Sequence, residues 1–390
     1  MNPARLIAAT AAACLLMSTG AAATASAALR DVLVVGNAVG GTVSFLDGHT
    51  FANLGSLNAI PDLPERLAAM DPLRRAAYEI VRKEAGDKFV DDAHVSPDGR
   101  TLYVSRGILG DAAAFDIASK RQLWHTGLDG LKADHATLSP DGTRFVISAI
   151  TAQKSQLIDT ATGRIVNSFA TGTYPHENMY SADGRSIYNF SIGTTSLPKA
   201  LNWAKGSKAV TVVDAQSLRT IRTYQFEYGI RPAVVTADEK TMYAQLSYLN
   251  GFVEYDLLAG RITRTVQMPF SAAGQALSPD KYPQNSAHHG MAMSGDKLCM
   301  TGTIDDYTAV VSRPGLTTDG FVHYPVGATP YWAASSVDGR YCFVSLSALD
   351  AVSVVDYRTA QEVARIPVGD YPQRERLGRL AEDVVPTLTR

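Results

Sequence analysis

Cysteine is almost missing from this 390-residue chain, which has three. One of them, Cys14, sits in the N-terminal apolar run Leu6–Met17, which follows Arg5 and ends in small residues. Ala25-Ser26-Ala27 fits an export cleavage site, so residues 1–27 are expected to be a signal peptide and 28–390 the mature, secreted or periplasmic chain. A lipid anchor on Cys14 is disfavoured. The two remaining cysteines exclude a disulfide-dense scaffold, so a large apolar core must supply the stability. Cys299 and Cys342 occupy matching places in "DKLCM" and "GRYCF". Matching places should point in parallel directions, so buried free thiols are expected rather than a bond.

Other absences narrow the function. There is no C-x-x-C-H for covalent haem and no C-x-x-C pair for structural zinc. Neither haem nor a nucleotide is expected: "GNAVGG" at Gly36 leads into another strand, not into a phosphate-binding helix, and no G-x-S-x-G marks a serine nucleophile. After the leader no run approaches the roughly 20 apolar residues of a spanning helix. Thirty-six basic and 38 acidic residues are interspersed, to a net charge of −2, so no basic stripe argues for nucleic acid.

What the chain does have is a repeat. "SPDGRTLYVS" at Ser96 returns as "SPDGTRFVIS" at Ser139, "SADGRSIYNF" at Ser181, "TADEKTMYAQ" at Thr236, "SGDKLCMTG" at Ser294 and "SVDGRYCFVS" at Ser336. The turn aspartates Asp98, Asp141, Asp183, Asp238, Asp296 and Asp338 recur at about 42 residues, with longer gaps where segments are inserted. Each turn precedes an alternating strand, then a strand ending in Asp ("SQLIDT", "VTVVDA", "VSVVDY"), then a fourth. Residues 31–58 read as second, third and fourth strands without a first, which "DYPQRERLGRL" near the C-terminus can supply. The expected architecture is all-β: a single-domain, seven-bladed β-propeller closed by N- and C-terminal strands, which leaves no open sheet edge.

The phrase S-x-D-G-[RK] with its aromatic strand, followed by "V-x-V-[VI]-D", resembles the YVTN-repeat family of exported propellers and, more distantly, the methylamine dehydrogenase heavy chain and lactonase-like propellers. That resemblance implies the fold over residues 30–375 and leaves the activity open, because such propellers include binders, lyases and oxidoreductase subunits.

Three long excursions should project from one end of the disc. They are residues 59–90, with a short helical insertion at 62–84, then 194–208 and 271–287. The residues opening each inner strand line the channel mouth at that same end: Asp91, Asp92 and His94; Asp134 and His135; His176 and Glu177; Arg231; His288 and His289; Tyr331 and Trp332; and Arg374. Five of the eight histidines fall in this position class, while His49 lies in a turn and His125 and His323 on outermost strands.

Two chemistries suit such a basin. In one, His135, His176 and His289 with Asp91, Asp134 or Glu177 bind a single divalent copper, zinc or iron. In the other, a histidine or Tyr331 takes a proton while Arg231 holds an acidic sugar, lactone or other small ligand, as in a lyase or hydrolase. The bland alternative is a non-catalytic propeller that binds a protein partner or surface glycan through Trp203 and Trp332.

Overall fold

A computed structural model describes residues 28–389 of the chain; the expected signal peptide lies outside the described residues. Seven four-stranded antiparallel sheets stand around a central axis. Blades are numbered here by their inner strands: Asp92–Val95 (blade 1), Ala133–Leu138 (2), Pro175–Tyr180 (3), Ile230–Val235 (4), His288–Ser294 (5), Pro330–Ser335 (6) and Pro372–Ala381 (7). Blade 7 is the closure. Its inner strand comes from the C-terminus and pairs with Leu29–Asn37, Val32 opposite Gly378 and Gly36 opposite Arg374. The ring is therefore sealed by hydrogen bonds between the two ends of the chain.

Alternation along each strand builds the core, because every second residue faces the next blade. Between blades 7 and 1, Val34, Phe45, Leu102, Val104 and Phe115 form one fully buried cluster. Between blades 3 and 4, Phe190, Val210, Ala244, Leu246 and Val253 form another. Loss of one such aromatic, as in Phe115→Ala, removes roughly 3–5 kcal/mol.

The Ser-x-Asp turns all lie at one end of the disc. Ser96, Ser139, Ser181, Thr236 and Ser336 each donate their hydroxyl to the aspartate two residues on, at 2.5–2.7 Å. The same hydroxyl oxygens accept the backbone N–H that opens the next strand, as Ser96 Oγ accepts from the Thr101 N–H at 2.9 Å. These side chains cap turns, at the end away from the excursions.

Cys299 and Cys342 form a disulfide between blades 5 and 6, so the expectation of free thiols is corrected. The reason is a one-residue slip. In blade 5 the turn is shorter and Cys299 pairs with Ala292; in blade 6 Cys342 pairs with Ser335, whose blade 5 counterpart is Met293. A slip of one residue flips a side chain to the other face of its sheet. The two thiols thus meet across the blade interface instead of pointing in parallel.

The three excursions do project from the end opposite the Ser-x-Asp turns. In the first, Asp71 accepts the backbone N–H of Arg74 at 2.8 Å and Pro72 occupies the first turn, which starts the helix Pro72–Ala85. This helix buries Tyr78 against Phe89, Ile108 and Leu109. Arg74 anchors it to the carbonyls of Leu109 and Gly130. Ahead of it, Asp62 meets the fully buried Arg106, which also pairs with Asp111. The second and third excursions are stitched together: Lys205 Nζ donates to Asn285 Oδ1 at 2.9 Å, and the Lys199 N–H donates to Asp280 at 2.6 Å.

Candidate functional site

Under these excursions lies a basin of about 420 Å³, centred on the propeller axis. Its walls take Val81 and Lys88 from the first excursion, Thr195 and Ser196 from the second, and Asp280, Tyr282 and Gln284 from the third. Its floor takes Asp91 and Lys132 from just ahead of the inner strands of blades 1 and 2, and Asp134, His176, Arg231, Tyr331 and Arg374 from the inner strands themselves. Inner strands run down the channel from this mouth at about 3.3 Å per residue, so depth follows position in the sequence. In blades 2, 3, 4 and 6 the residue at the mouth end, Asp134, His176, Arg231 or Tyr331, lines the basin, and in blades 2, 3 and 6 its successor, His135, Glu177 or Trp332, does not.

Just beneath the floor lies a cage of imidazoles. His135 Nε2 is 3.2 Å from His176 Nε2 and 3.3 Å from Asp134 Oδ1. Ring centroids of His176 and His289 are 5.4 Å apart, and His289 stacks on Tyr331 at 4.2 Å. Arg374 lies over Trp332, 4.0 Å from its ring centre, and its Nε donates to His135 Nδ1 at 2.7 Å. The polar accounting is incomplete: His176 Nδ1, both nitrogens of His289 and Arg374 Nη1 are buried without a hydrogen-bond partner. Groups of this kind normally find a partner in protein, water or ligand.

Charge is tuned by burial. Burial first, then Arg374 and its neighbours, hold His135 and His289 well below the ordinary histidine range, and burial with His289 and Arg374 does the same to His176. All three are neutral at physiological pH. Burial, reinforced by Asp91 and opposed by Lys132, pushes Asp134 up to about 6. Lys132 itself, 2.9 Å from Asp91 and 3.7 Å from Asp134, pays for its burial but is held charged by those two carboxylates. Burial brings Arg231 down to about 10, still cationic; it donates to Ser247 at 3.2 Å and to the Gln284 carbonyl. With Lys88, Lys132, Arg231 and Arg374 against Asp91, Asp134 and Asp280, the basin carries a cationic excess.

Arg374 fixes the tautomers. A guanidinium N–H can only donate, so His135 Nδ1 must present its lone pair, and the proton of the neutral ring then sits on Nε2. His135 Nε2–H donates to His176 Nε2, which leaves the His176 proton on the unpartnered Nδ1. A neutral, unpartnered N–H thus lies buried just under the floor, on a side chain that lines the basin, beside a carboxylate that titrates near 6.

Not every residue expected at the mouth is there. Asp92 lies deeper, gripped by Arg376 at 2.7 and 3.0 Å and kept ionised by it against the cost of burial. Glu177 lines the opposite half of the channel with Trp332, Glu375 and Arg376. His94 is lower still, its Nε2 3.1 Å from the Ala136 carbonyl, in a cavity with Ser96 and Pro97. His288 points away from its neighbour His289 into the blade interface, where it meets Tyr307 OH at 3.1 Å and Gln245 at 3.5 Å. Trp203 is 81% exposed on the rim and does not line the basin. Lys88, Lys132 and Arg376 were not singled out from the sequence; Lys132 stood two residues before Asp134, at the mouth end of its strand, which was the available signal.

Asp134, His135 and His176 form the one cluster among the described residues whose donor atoms could hold a metal, all within 4.8 Å of one another. His289 stands outside that group. A second cavity, about 460 Å³, lies on the rim between blades 3 and 4, lined by Phe226, Tyr228, Tyr248 and Tyr255 without a comparable cluster.

No family model and no curated protein matches the chain. Solved structures do. Hydrazine synthase from Kuenenia stuttgartiensis is similar at a TM-score of 0.55 and 15% identity, covering 73% of this chain and 88% of that one. The dihydro-heme d1 dehydrogenase NirN, solved in complex with DHE, is similar at a TM-score of 0.57 and 14% identity, over 92% of this chain and 76% of that one. At such identity the likeness establishes a propeller fold and supports no single propeller family. The missing C-x-x-C-H excludes covalent haem through that motif alone, so the wider expectation of no haem-type group is unsupported.

Proposed function

We propose that this is an exported propeller enzyme that binds a small carboxylated molecule, such as an acidic sugar, in the basin and performs acid–base chemistry on it. The observation that carries the reading is the Arg374–His135–His176 relay, which ends in an unpartnered, neutral N–H buried just beneath the floor of a cationic cavity. A neutral imidazole polarises a substrate oxygen without competing for its proton. Asp134, titrating near 6, has the basicity of a general base at neutral pH. Arg231 and Lys132 hold the substrate anion. Together these roles suit removal of a proton next to a carboxyl or carbonyl group, followed by elimination or isomerisation. The buried disulfide and the N-terminal leader support export to an oxidising compartment.

Titration of wild-type protein with uronic acids and with their neutral parent sugars tests this reading. Saturable binding of the acids, with slow formation of a conjugated product that Asp134→Asn abolishes, is the expected result. Binding of neither series, or equal binding of both, contradicts it. One observation favours a second reading: the exposed Trp203 is the anchor that a non-catalytic glycan or protein binder would use. Loss of ligand on Trp203→Ala but not on Asp134→Asn would select it.

A further inference from the structure

We infer that the Asp134–His135–His176 cluster is a divalent transition-metal site held shut by Arg374, and that an anion in the basin opens it by drawing Arg374 away. The anion half of this coupling rests on the proposed function; the metal half goes beyond it and concerns the metal-loaded protein, in which Asp134 is a ligand, whereas the metal-free protein keeps the Arg374–His135 contact and Asp134 as base.

Spacing is the first argument. Ligand atoms about 2.0–2.1 Å from a tetrahedral metal lie about 3.3 Å apart. His135 Nε2 is 3.2 Å from His176 Nε2 and 3.3 Å from Asp134 Oδ1, and Asp134 and His176 complete the set within 4.8 Å. Two imidazoles and one carboxylate suit zinc or ferrous iron and leave positions open.

The lock is a tautomer. While Arg374 donates to His135 Nδ1, the ring proton is on Nε2 and His135 turns no lone pair on the cluster. The key is already in place: the Asp91 carbonyl oxygen lies 3.1 Å from the same Nδ1. When Arg374 leaves, Nδ1–H donates to that carbonyl, and Nε2 turns its lone pair on the metal. Such a backbone partner behind a histidine ligand is a regular feature of metal centres. Arg374 can leave because it lines the basin and its Nη1 has no partner among the described residues. Its departure also removes a cation from beside the metal.

The test is a Co²⁺ titration, read by visible absorption and calorimetry, of wild type and Arg374→Met with and without sulfate as the probe anion. Wild type should bind Co²⁺ weakly alone and about tenfold or more tightly with saturating sulfate, within the 5–150-fold usual for coupled sites. Arg374→Met should bind tightly under both conditions, and His176→Ala under neither. If wild type and Arg374→Met bind Co²⁺ equally, or if sulfate acts equally on both, the lock is disproved. Absence of Co²⁺ binding everywhere disproves the metal site but leaves the acid–base reading standing, whereas sulfate that never binds removes the anion reading itself. Should Arg374→Met not fold, ¹⁵N-histidine spectra of wild type decide: His135 must carry its proton on Nε2 alone and on Nδ1 with Co²⁺ and sulfate, and a ring fixed on either tautomer overturns the inference.

Discussion

The two ends of the inner strands are built on different rules. At the turn end the same device recurs around the ring, a Ser or Thr hydroxyl hydrogen-bonded to an aspartate and capping the strand that follows. At the other end the strands open with Asp91, Asp134, His176, Arg231, His289 and Tyr331, and hardly two blades agree. Repetition marks what every blade needs to fold. Departure from it, under a roof of insertions and with buried polar atoms left unpartnered, is where the proposed ligand site lies.

Substitutions at the two ends should therefore fail in different ways. Among these substitutions the largest effect belongs to His176→Ala: turnover should fall by about 10²–10³-fold, the usual range for a lost donor to a developing oxyanion, while the thermal midpoint moves little. A large drop in stability with unchanged ligand binding would place His176 with the turn residues. Next comes the disulfide. A loop of 43 residues is closed by Cys299 and Cys342, so Cys299→Ser with Cys342→Ser should cost about 4 kcal/mol in denaturant unfolding and leave ligand affinity alone.

The channel below the basin gives a third contrast. Glu375 is buried with both carboxylate oxygens unpartnered, and burial raises its pKa well above the usual carboxylate range. A raised pKa means that the folded state holds the proton longer than the unfolded chain does. Stability from this group is complete below the unfolded value near 4.5 and falls as pH rises above it, by up to about 1.4 kcal/mol per unit. Glu375→Gln should remove that slope between pH 5 and 8. An unchanged slope would mean that the carboxyl finds a partner in solution. The smallest effect is expected at the repeat itself, where Asp141→Ala should cost about 1 kcal/mol and leave binding untouched.

Much of this was legible in the sequence, for identifiable reasons. The blades could be counted because Asp-Gly turns and alternating strands return at a near-constant spacing. The common end of the excursions followed from strand direction alone. Depth and facing were harder. His288 and His289 are adjacent and look equivalent in sequence, yet pleating sends one into a blade interface and the other into the imidazole cage. The disulfide was missed for the same reason: a single residue gained or lost in a turn decides which face a cysteine takes. The relay from Arg374 joins strands some 240 residues apart, and no local spacing announces it.

A crystal structure with a bound uronate tests the account most directly. The carboxylate should lie between Arg231 and Arg374, with a substrate oxygen within hydrogen-bond distance of His176 Nδ1 and Asp134 alongside. Density for the ligand in the tyrosine-lined groove between blades 3 and 4, with the axial basin holding only water, would contradict it.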